Sequence, residues 1–187
     1  MVRQEIPEAR LRLFGSPPAG SEGYRDRCQA LIDSLGLTGA AVSEVRVEDI
    51  VDAYHAGQAV VLSSSSEGFP YTVIEAMTSG RATVSTDVGG VREAVGDTGL
   101  VVPARDPKAL AAACVLVLTD HELRHRLARA ARARALQNFT LEQFLAVYRE
   151  IYPTLAKPQS PRPDVQTCEW SNYLAHFGRA IWLTGCR

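Results

Sequence analysis

Two glutamates, Glu67 and Glu75, are the residues of this chain whose type and spacing best suit chemistry. They lie eight positions apart within residues 63–80. The apolar run 59–62 before them is typical of a buried parallel strand, and the four serines that follow it predict a loop. We therefore expect Glu67 in a strand-to-helix loop and Glu75 about one and a half turns into the next helix.

The helix that should carry Glu75 has recognisable ends. Pro70 suits the first helical position, because its missing N–H would be unpaired there anyway, and Gly80 is a plausible end. Loops at the carboxyl ends of parallel strands, facing helix N-termini, are where open α/β sheets bind ligands. Such a helix start suits phosphate, whereas a carboxylate only accepts hydrogen bonds and suits sugar hydroxyls.

The elements that must position these residues follow from alternating hydrophobic patterns. Strands are predicted at 9–14, 40–43, 59–63, 82–86 and 100–102, and helices at 1–7 (a helix end), 24–35, 47–56, 70–79, 90–95, 107–118, 120–136 and 140–152. Alternation of this length predicts an α/β fold, a single Rossmann-like parallel sheet with helices on both faces.

The Glu-x7-Glu pair around Gly68, Phe69 and Pro70 resembles the donor-site motif of retaining glycosyltransferases of the family 4, glycogen-synthase-like kind. Four more segments resemble the second half of those enzymes in the same order, namely 86–93, 98–103, 106–110 and 138–144. The resemblance covers roughly residues 5–152. It implies the second, donor-binding half of a two-domain glycosyltransferase fold.

The resemblance also implies roles for individual residues. Glu67 is expected to contact the donor sugar and to be required for transfer, and Glu75 to bind the ribose diol of the nucleotide. Backbone amides of the loop and helix start are expected to hold sugar hydroxyls and the diphosphate, and they belong to Gly68, Phe69, Tyr71 and Thr72. Pro70 departs from the family pattern, where glycine is commoner, and it removes one N–H donor.

The implied reaction transfers a hexose from a nucleoside-diphosphate sugar to an unknown acceptor with retention at the anomeric carbon. No metal and no cofactor are expected, because cationic side chains stabilise the leaving diphosphate in this family. Those cations, an Arg and a Lys, are expected before Met1. The chain is accordingly expected to be truncated, to bind a nucleotide sugar only weakly, and to need a separate N-terminal acceptor domain or subunit.

A second interpretation assigns no catalysis to the chain. It would then be a binding or assembly module that keeps the fold but lacks the acceptor domain, docking with a separate N-terminal subunit.

Residues 1–152 are predicted to form the nucleotide-sugar-binding domain. Residues 153–187 begin with a proline-rich run typical of a linker and end in a tail that the resemblance does not cover.

Composition excludes several other classes of function. The net charge of −1 does not favour binding to nucleic acid or to an anionic membrane. No stretch approaches the ~18 apolar residues of a membrane span, and the N-terminus lacks the apolar core of a signal peptide. Four cysteines without framework spacing fit reduced thiols, so we expect a cytoplasmic protein.

Residues 120–136 carry two further signals. His121 and His125 complete an H-E-x-x-H pattern, which in zinc proteases puts two imidazoles on one helix face. No third ligand follows at the usual spacing, so we expect Asp120 to cap an ordinary helix whose buried stripe is Leu123, Leu127 and Ala130. Five arginines between positions 124 and 134 are interpreted as a solvated basic face, with docking to a polyanion or an acidic partner as the alternative.

Overall fold

Strands and helices alternate along the chain as predicted. The computed structural model describes residues 1–15, 22–44 and 50–155. The strands are β1 (Leu11–Phe14), β2 (Ala41–Glu44), β3 (Ala59–Leu62), β4 (Ala82–Thr86) and β5 (Leu100–Val102). The helices are α1 (Val2–Glu5), α2 (Glu22–Ser34), α3 (Ile50–His55), α4 (Tyr71–Thr78), α5 (Val91–Val95), α6 (Pro107–Thr119), α7 (His121–Asn138) and α8 (Leu141–Leu155).

Every strand pairing in the described chain is parallel. One section of sheet has the order β3-β4-β5, and the other consists of β1 and β2. In the larger section β4 is central, and all five of its residues are buried. The α/β class with parallel strands is therefore confirmed, in two sections of sheet.

Helices cover both faces of the larger section. One core packs Val73 and Met77 of α4 with residues of α5 and α7, next to Leu62. The other packs Val117 of α6 against Val84 and its neighbours on the opposite face. Successive residues of a strand point to opposite faces, which is why β3 contributes to both cores. The predicted helices on both faces are confirmed.

The predicted boundary at residue 152 falls inside α8. The helix continues through Pro153 to Leu155, the last described residue. The proline-rich run and the tail from residue 156 onward lie outside the described residues. No helix within the described ranges is long and apolar enough to cross a membrane.

Helix α7 begins as predicted but buries a different face. The Asp120 carboxylate accepts a hydrogen bond from the Leu123 N–H at 2.8 Å, which confirms the cap. Of the predicted stripe only Leu127 is buried; the other buried residues are Arg124, Ala131 and Ala135. The prediction missed Arg124 because a charged residue was assigned to the solvent side. Among the described residues, no group of three or more His, Cys, Asp or Glu could hold a metal ion.

Three arginines of α7 bind the ends of three other helices. The interpretation as a solvated basic face is wrong for Arg124, which is buried, whereas Arg132 is exposed. Arg124 donates to carbonyl oxygens at the end of α6, Arg132 to the end of α4, and Arg134 to the end of α5. The last carbonyls of a helix have no partner within it and carry partial negative charge, which a cation stabilises.

Arg124 is the buried member of this set. Its Nη1 donates to the carbonyl oxygens of Val117 and Leu118, both at 3.1 Å. The side chain is 8% exposed, so losing the guanidinium would leave two poorly hydrated carbonyls unpaired. Buried carbonyls without a donor destabilise a fold.

We expect Arg124→Met, which keeps the aliphatic stem but removes the donors, to lower the free energy of unfolding by about 2 kcal/mol. Arg126→Met is the matched control, because Arg126 is exposed on the same helix, and it should change stability by less than about 0.5 kcal/mol. Urea denaturation followed by circular dichroism measures both. Equal stability of the two variants would contradict the carbonyl-binding role of Arg124.

Candidate functional site

The first acid of the pair lies in the loop that leaves β3. Glu67 is half-buried, and its Oε1 accepts a hydrogen bond from the Ser64 hydroxyl at 2.6 Å. Ser64 is itself held from behind, because the hydroxyl of Thr86, the last residue of β4, donates to the Ser64 carbonyl oxygen at 2.6 Å. The ends of two adjacent parallel strands thus fix the orientation of this carboxylate.

The backbone of the same loop lies against two glycines of the next loop. The Gly90 N–H donates to the Gly68 carbonyl oxygen at 2.9 Å. Gly89 has φ of 52°, and a Cβ at that position would overlap the Glu67 carbonyl oxygen and lie 2.9 Å from the Gly68 oxygen. Only glycine combines this backbone conformation with such close approach. The 86–93 segment therefore supports the Glu67 loop directly.

The second acid projects from α4 toward α3. Glu75 is half-buried, and its Oε2 accepts a hydrogen bond from the Tyr54 hydroxyl at 2.6 Å. Tyr54 is 1% exposed and packs with Val60 and Ala76 in a small core. Burial, followed by the hydrogen bond to the Glu75 carboxylate and the charge of that carboxylate, raises the pKa of Tyr54 far above its ordinary value. Tyr54 therefore stays a hydrogen-bond donor throughout the ordinary pH range.

Sequence reasoning placed Tyr54 only within the predicted helix 47–56 and gave it no role at the site. The signal that could have revealed its second role is chemical, since a buried tyrosine hydroxyl usually needs a hydrogen-bond partner. Ser64 was likewise seen only as part of a serine run. Both hydroxyls leave the second oxygen of their glutamate without a donor among the described residues.

The predicted amide donors occupy the end of the loop and the first turn of α4. Within the described chain, the N–H groups of Gly68, Phe69 and Thr72 have no hydrogen-bond acceptor. The Tyr71 N–H differs, because it donates to the Phe69 carbonyl oxygen at 3.0 Å. Pro70 is buried at the N-cap of α4 and has no N–H to offer.

Aromatic rings flank these amides. The Phe69 ring packs edge-on against Phe139, with centroids 5.8 Å apart, and against Tyr71 at 6.4 Å. Phe139 is the C-cap of α7, so the 138–144 segment contacts the site loop as well. Tyr71 is 70% exposed, which leaves its ring at the surface beside the start of α4.

The six predicted site residues lie on one continuous loop and helix. Glu67 and Glu75 are held by different neighbours, Ser64 and Tyr54, and no hydrogen bond joins the two acids within the described residues. The arrangement offers two oriented hydrogen-bond acceptors, three unpaired amide donors and a helix N-terminus. It can bind a ligand that combines hydroxyl groups with an anion.

Comparison with known proteins identifies the family of this chain. Residues 1–134 match the family described as "Glycosyl transferases group 1". A D-inositol 3-phosphate glycosyltransferase of Corynebacterium urealyticum is 32% identical over 161 residues, covering 81% of this chain and 38% of that relative. The chain therefore spans less than half the length of this relative.

Solved structures show the same fold. Sucrose-phosphate synthase from Thermosynechococcus elongatus superposes with a TM-score of 0.72 at 29% identity, covering 82% of this chain and 41% of that one. Anabaena HepE, solved in complex with UDP, gives a TM-score of 0.69 at 26% identity, covering 77% of this chain and 40% of that one.

We expect Gly89→Ala to lower the free energy of unfolding by at least about 2 kcal/mol, because a Cβ there meets the Glu67 backbone and the left-handed conformation is strained. Gly68→Ala is the matched control: nothing lies within 4 Å of a Cβ at Gly68, so its stability should stay within about 0.5 kcal/mol of the unmodified chain. Urea denaturation measures both, and a tolerated Gly89→Ala would contradict the close approach.

The raised pKa of Tyr54 predicts a late step in a spectrophotometric tyrosine titration. The ordinary pKa of a tyrosine is about 10, whereas Tyr54 should stay protonated above that pH while the fold persists. Its contribution to stability is complete below about pH 10 and is lost as pH rises toward its folded-state pKa, because the unfolded chain releases that proton first. Tyr54→Phe should lack the late step; its persistence in that variant would contradict the assignment.

Proposed function

The chain belongs to the group 1 glycosyl transferases, and we propose that it is the donor-binding half of such an enzyme. In this proposal it binds a nucleoside-diphosphate sugar and presents the sugar for transfer of a hexose to an acceptor. It is of the retaining, family 4 kind and works with a separate N-terminal acceptor domain or subunit.

The pair of oriented carboxylates is the observation that carries the proposal. Each acid is held through one oxygen by a neighbouring hydroxyl, at 2.6 Å in both cases, and keeps the other oxygen for a ligand. A fixed carboxylate binds a hydroxyl with little loss of side-chain entropy. Two such acceptors on one loop and helix suit a ligand with hydroxyls at both ends.

The proposed roles follow from position along this loop and helix. Glu75, inside α4, binds the ribose diol of the nucleotide. Glu67, in the loop, contacts the donor sugar and serves as the catalytic residue. The Anabaena structure was solved with UDP, which supports a nucleoside diphosphate as the ligand class.

The diphosphate lies, in this proposal, at the N-terminus of α4. The unpaired N–H groups of Gly68, Phe69 and Thr72 donate to its oxygens and to sugar hydroxyls, and the helix dipole favours the negative charge. The Tyr71 N–H joins them by exchanging the Phe69 carbonyl oxygen for a ligand oxygen. As the bond from the anomeric carbon to the diphosphate breaks, these donors stabilise the charge that develops on the leaving oxygen. We propose that no metal or cofactor takes part.

Isothermal titration calorimetry tests the proposal with UDP, GDP, ADP and their glucose conjugates. We expect heat with at least one nucleotide at millimolar concentration. Glu75→Gln should weaken binding of that nucleotide about tenfold, because it removes a charge-assisted hydrogen bond to the ribose. Glu67→Gln should leave the affinity for the nucleotide alone unchanged and weaken only that for the sugar conjugate.

Glu150→Gln is the matched control, because Glu150 is exposed on α8 and outside the proposed site. Its affinities should equal those of the unmodified chain. Absence of heat with every ligand would rule out a working donor site. Equal effects of Glu75→Gln and Glu150→Gln would remove the proposed role of Glu75.

A further inference from the structure

Helix α7 presents a stripe of exposed side chains that is separate from its buried face. The stripe consists of His125, Arg129, Arg132 and Leu136, all of which are exposed. Their spacing of i, i+4, i+7 and i+11 places them on one side of the helix. This is the spacing at which one helix presents side chains to another helix that packs against it. We call these four residues the basic stripe.

The helix under the basic stripe is anchored at three points. Arg132 donates through Nη1 to the Thr78 carbonyl oxygen at the end of α4. Arg124 and Arg134 connect α7 to the ends of α6 and α5. The backbone that carries the stripe is therefore already in place, so a partner that docks there orders little of this chain.

Positive charge is concentrated on this helix. Helix α7 carries five arginines and one glutamate, although the chain as a whole has a net charge of −1. Within the part of the chain that the structure describes, Arg129 makes no hydrogen bond or ion pair. Its guanidinium therefore keeps all of its donors for a partner. A surface with unpaired cations attracts acidic groups.

The size of the basic stripe favours a short acidic segment over a long polyanion. Residues 125–136 of a helix span about 16 Å, which is about two Debye lengths at physiological salt. A nucleic acid or a membrane surface extends well beyond this length and meets the rest of a chain whose overall charge is −1. A short segment meets the stripe alone.

Leu136 indicates the form of such a segment. Its side chain is 49% exposed at the end of the basic stripe. Covering it requires an apolar side chain, which a polymer of phosphates does not have. An amphipathic helix can present carboxylates and an apolar residue on one face, one turn apart.

We propose that the basic stripe is a docking surface for an acidic, amphipathic α-helix of a partner protein. Carboxylates of that helix pair with Arg129 and with the remaining N–H groups of Arg132, and an apolar residue covers Leu136. Arg132 lies at the C-terminal end of α4, whereas the proposed donor site lies at the N-terminus of that helix. Docking therefore leaves the donor site open, and this proposal does not depend on the proposed function.

Fluorescence anisotropy tests the proposal with a synthetic helix. The probe, called the aligned peptide, is a fluorescein-labelled alanine-based helix of about 15 residues, with glutamates at i, i+4 and i+7 and a leucine at i+11. A scrambled peptide has the same composition but spreads its glutamates around the helix. At low ionic strength the aligned peptide should bind at least about fivefold more tightly than the scrambled one, and added salt should weaken it.

Charge reversal on the protein identifies the surface that binds. Arg129→Glu should weaken binding of the aligned peptide about tenfold, and a lysine in place of one peptide glutamate should restore affinity for this variant alone. Arg149→Glu is the matched control, because Arg149 is exposed on α8 and the change in net charge is the same. It should change the affinity by less than about twofold.

Several results would overturn the proposal. No binding of the aligned peptide at about 1 mM, equal binding of the two peptides, or equal effects of Arg129→Glu and Arg149→Glu would each do so. Tighter binding of a DNA oligonucleotide of equal charge, or of phosphatidylglycerol vesicles, would assign the stripe to a polyanion or to a membrane surface. Self-association that Arg129→Glu abolishes, measured by sedimentation velocity, would assign it to a second copy of the chain.

Discussion

The contact between the arginines of α7 and the ends of three neighbouring helices is the interaction on which the rest of this structure depends. Arg132 binds the last turn of α4 and Arg134 that of α5. These are the two helices that follow the site loops. Each guanidinium pairs with carbonyl groups that the helix itself cannot satisfy, so one long helix fixes where three others end. The N-termini of α4 and α5, at the opposite ends of those helices, are positioned as a result.

The site depends on this frame because each glutamate carboxylate is oriented by one side-chain hydrogen bond among the described residues. The Ser64 hydroxyl orients Glu67 and the Tyr54 hydroxyl orients Glu75, and neither hydroxyl belongs to α4. The end of β4 and the core of α3 therefore decide where the carboxylates point. An acid on a surface loop without these partners would sample many rotamers and bind a hydroxyl weakly.

Much of this arrangement was predictable from sequence, because it depends on local pattern. The alternation of strands and helices, the loop position of Glu67, the helical position of Glu75 and the cap at Asp120 all follow from neighbouring residues. The partners of Arg132 and Arg134 lie 54 and about 40 positions away, and local charge pattern cannot indicate them. Tyr54 resembles an ordinary core residue, and the close approach at Gly89 involves a loop more than 20 residues earlier. Such long-range pairings are set by the fold as a whole.

The division of the sheet into a β1-β2 section and a β3-β4-β5 section also affects which elements unfold locally. Helix α2 has no buried side chain among those described, with only Cys28 and Ile32 half-buried, while β4 is buried along its whole length. The free energy of local opening depends on how much apolar contact is lost. We therefore expect α2 to open locally at a lower free energy than β4, so that its amide hydrogens exchange with solvent sooner than those of β4. The buried strand β4 is also the strand whose last residue, Thr86, supports the Glu67 loop.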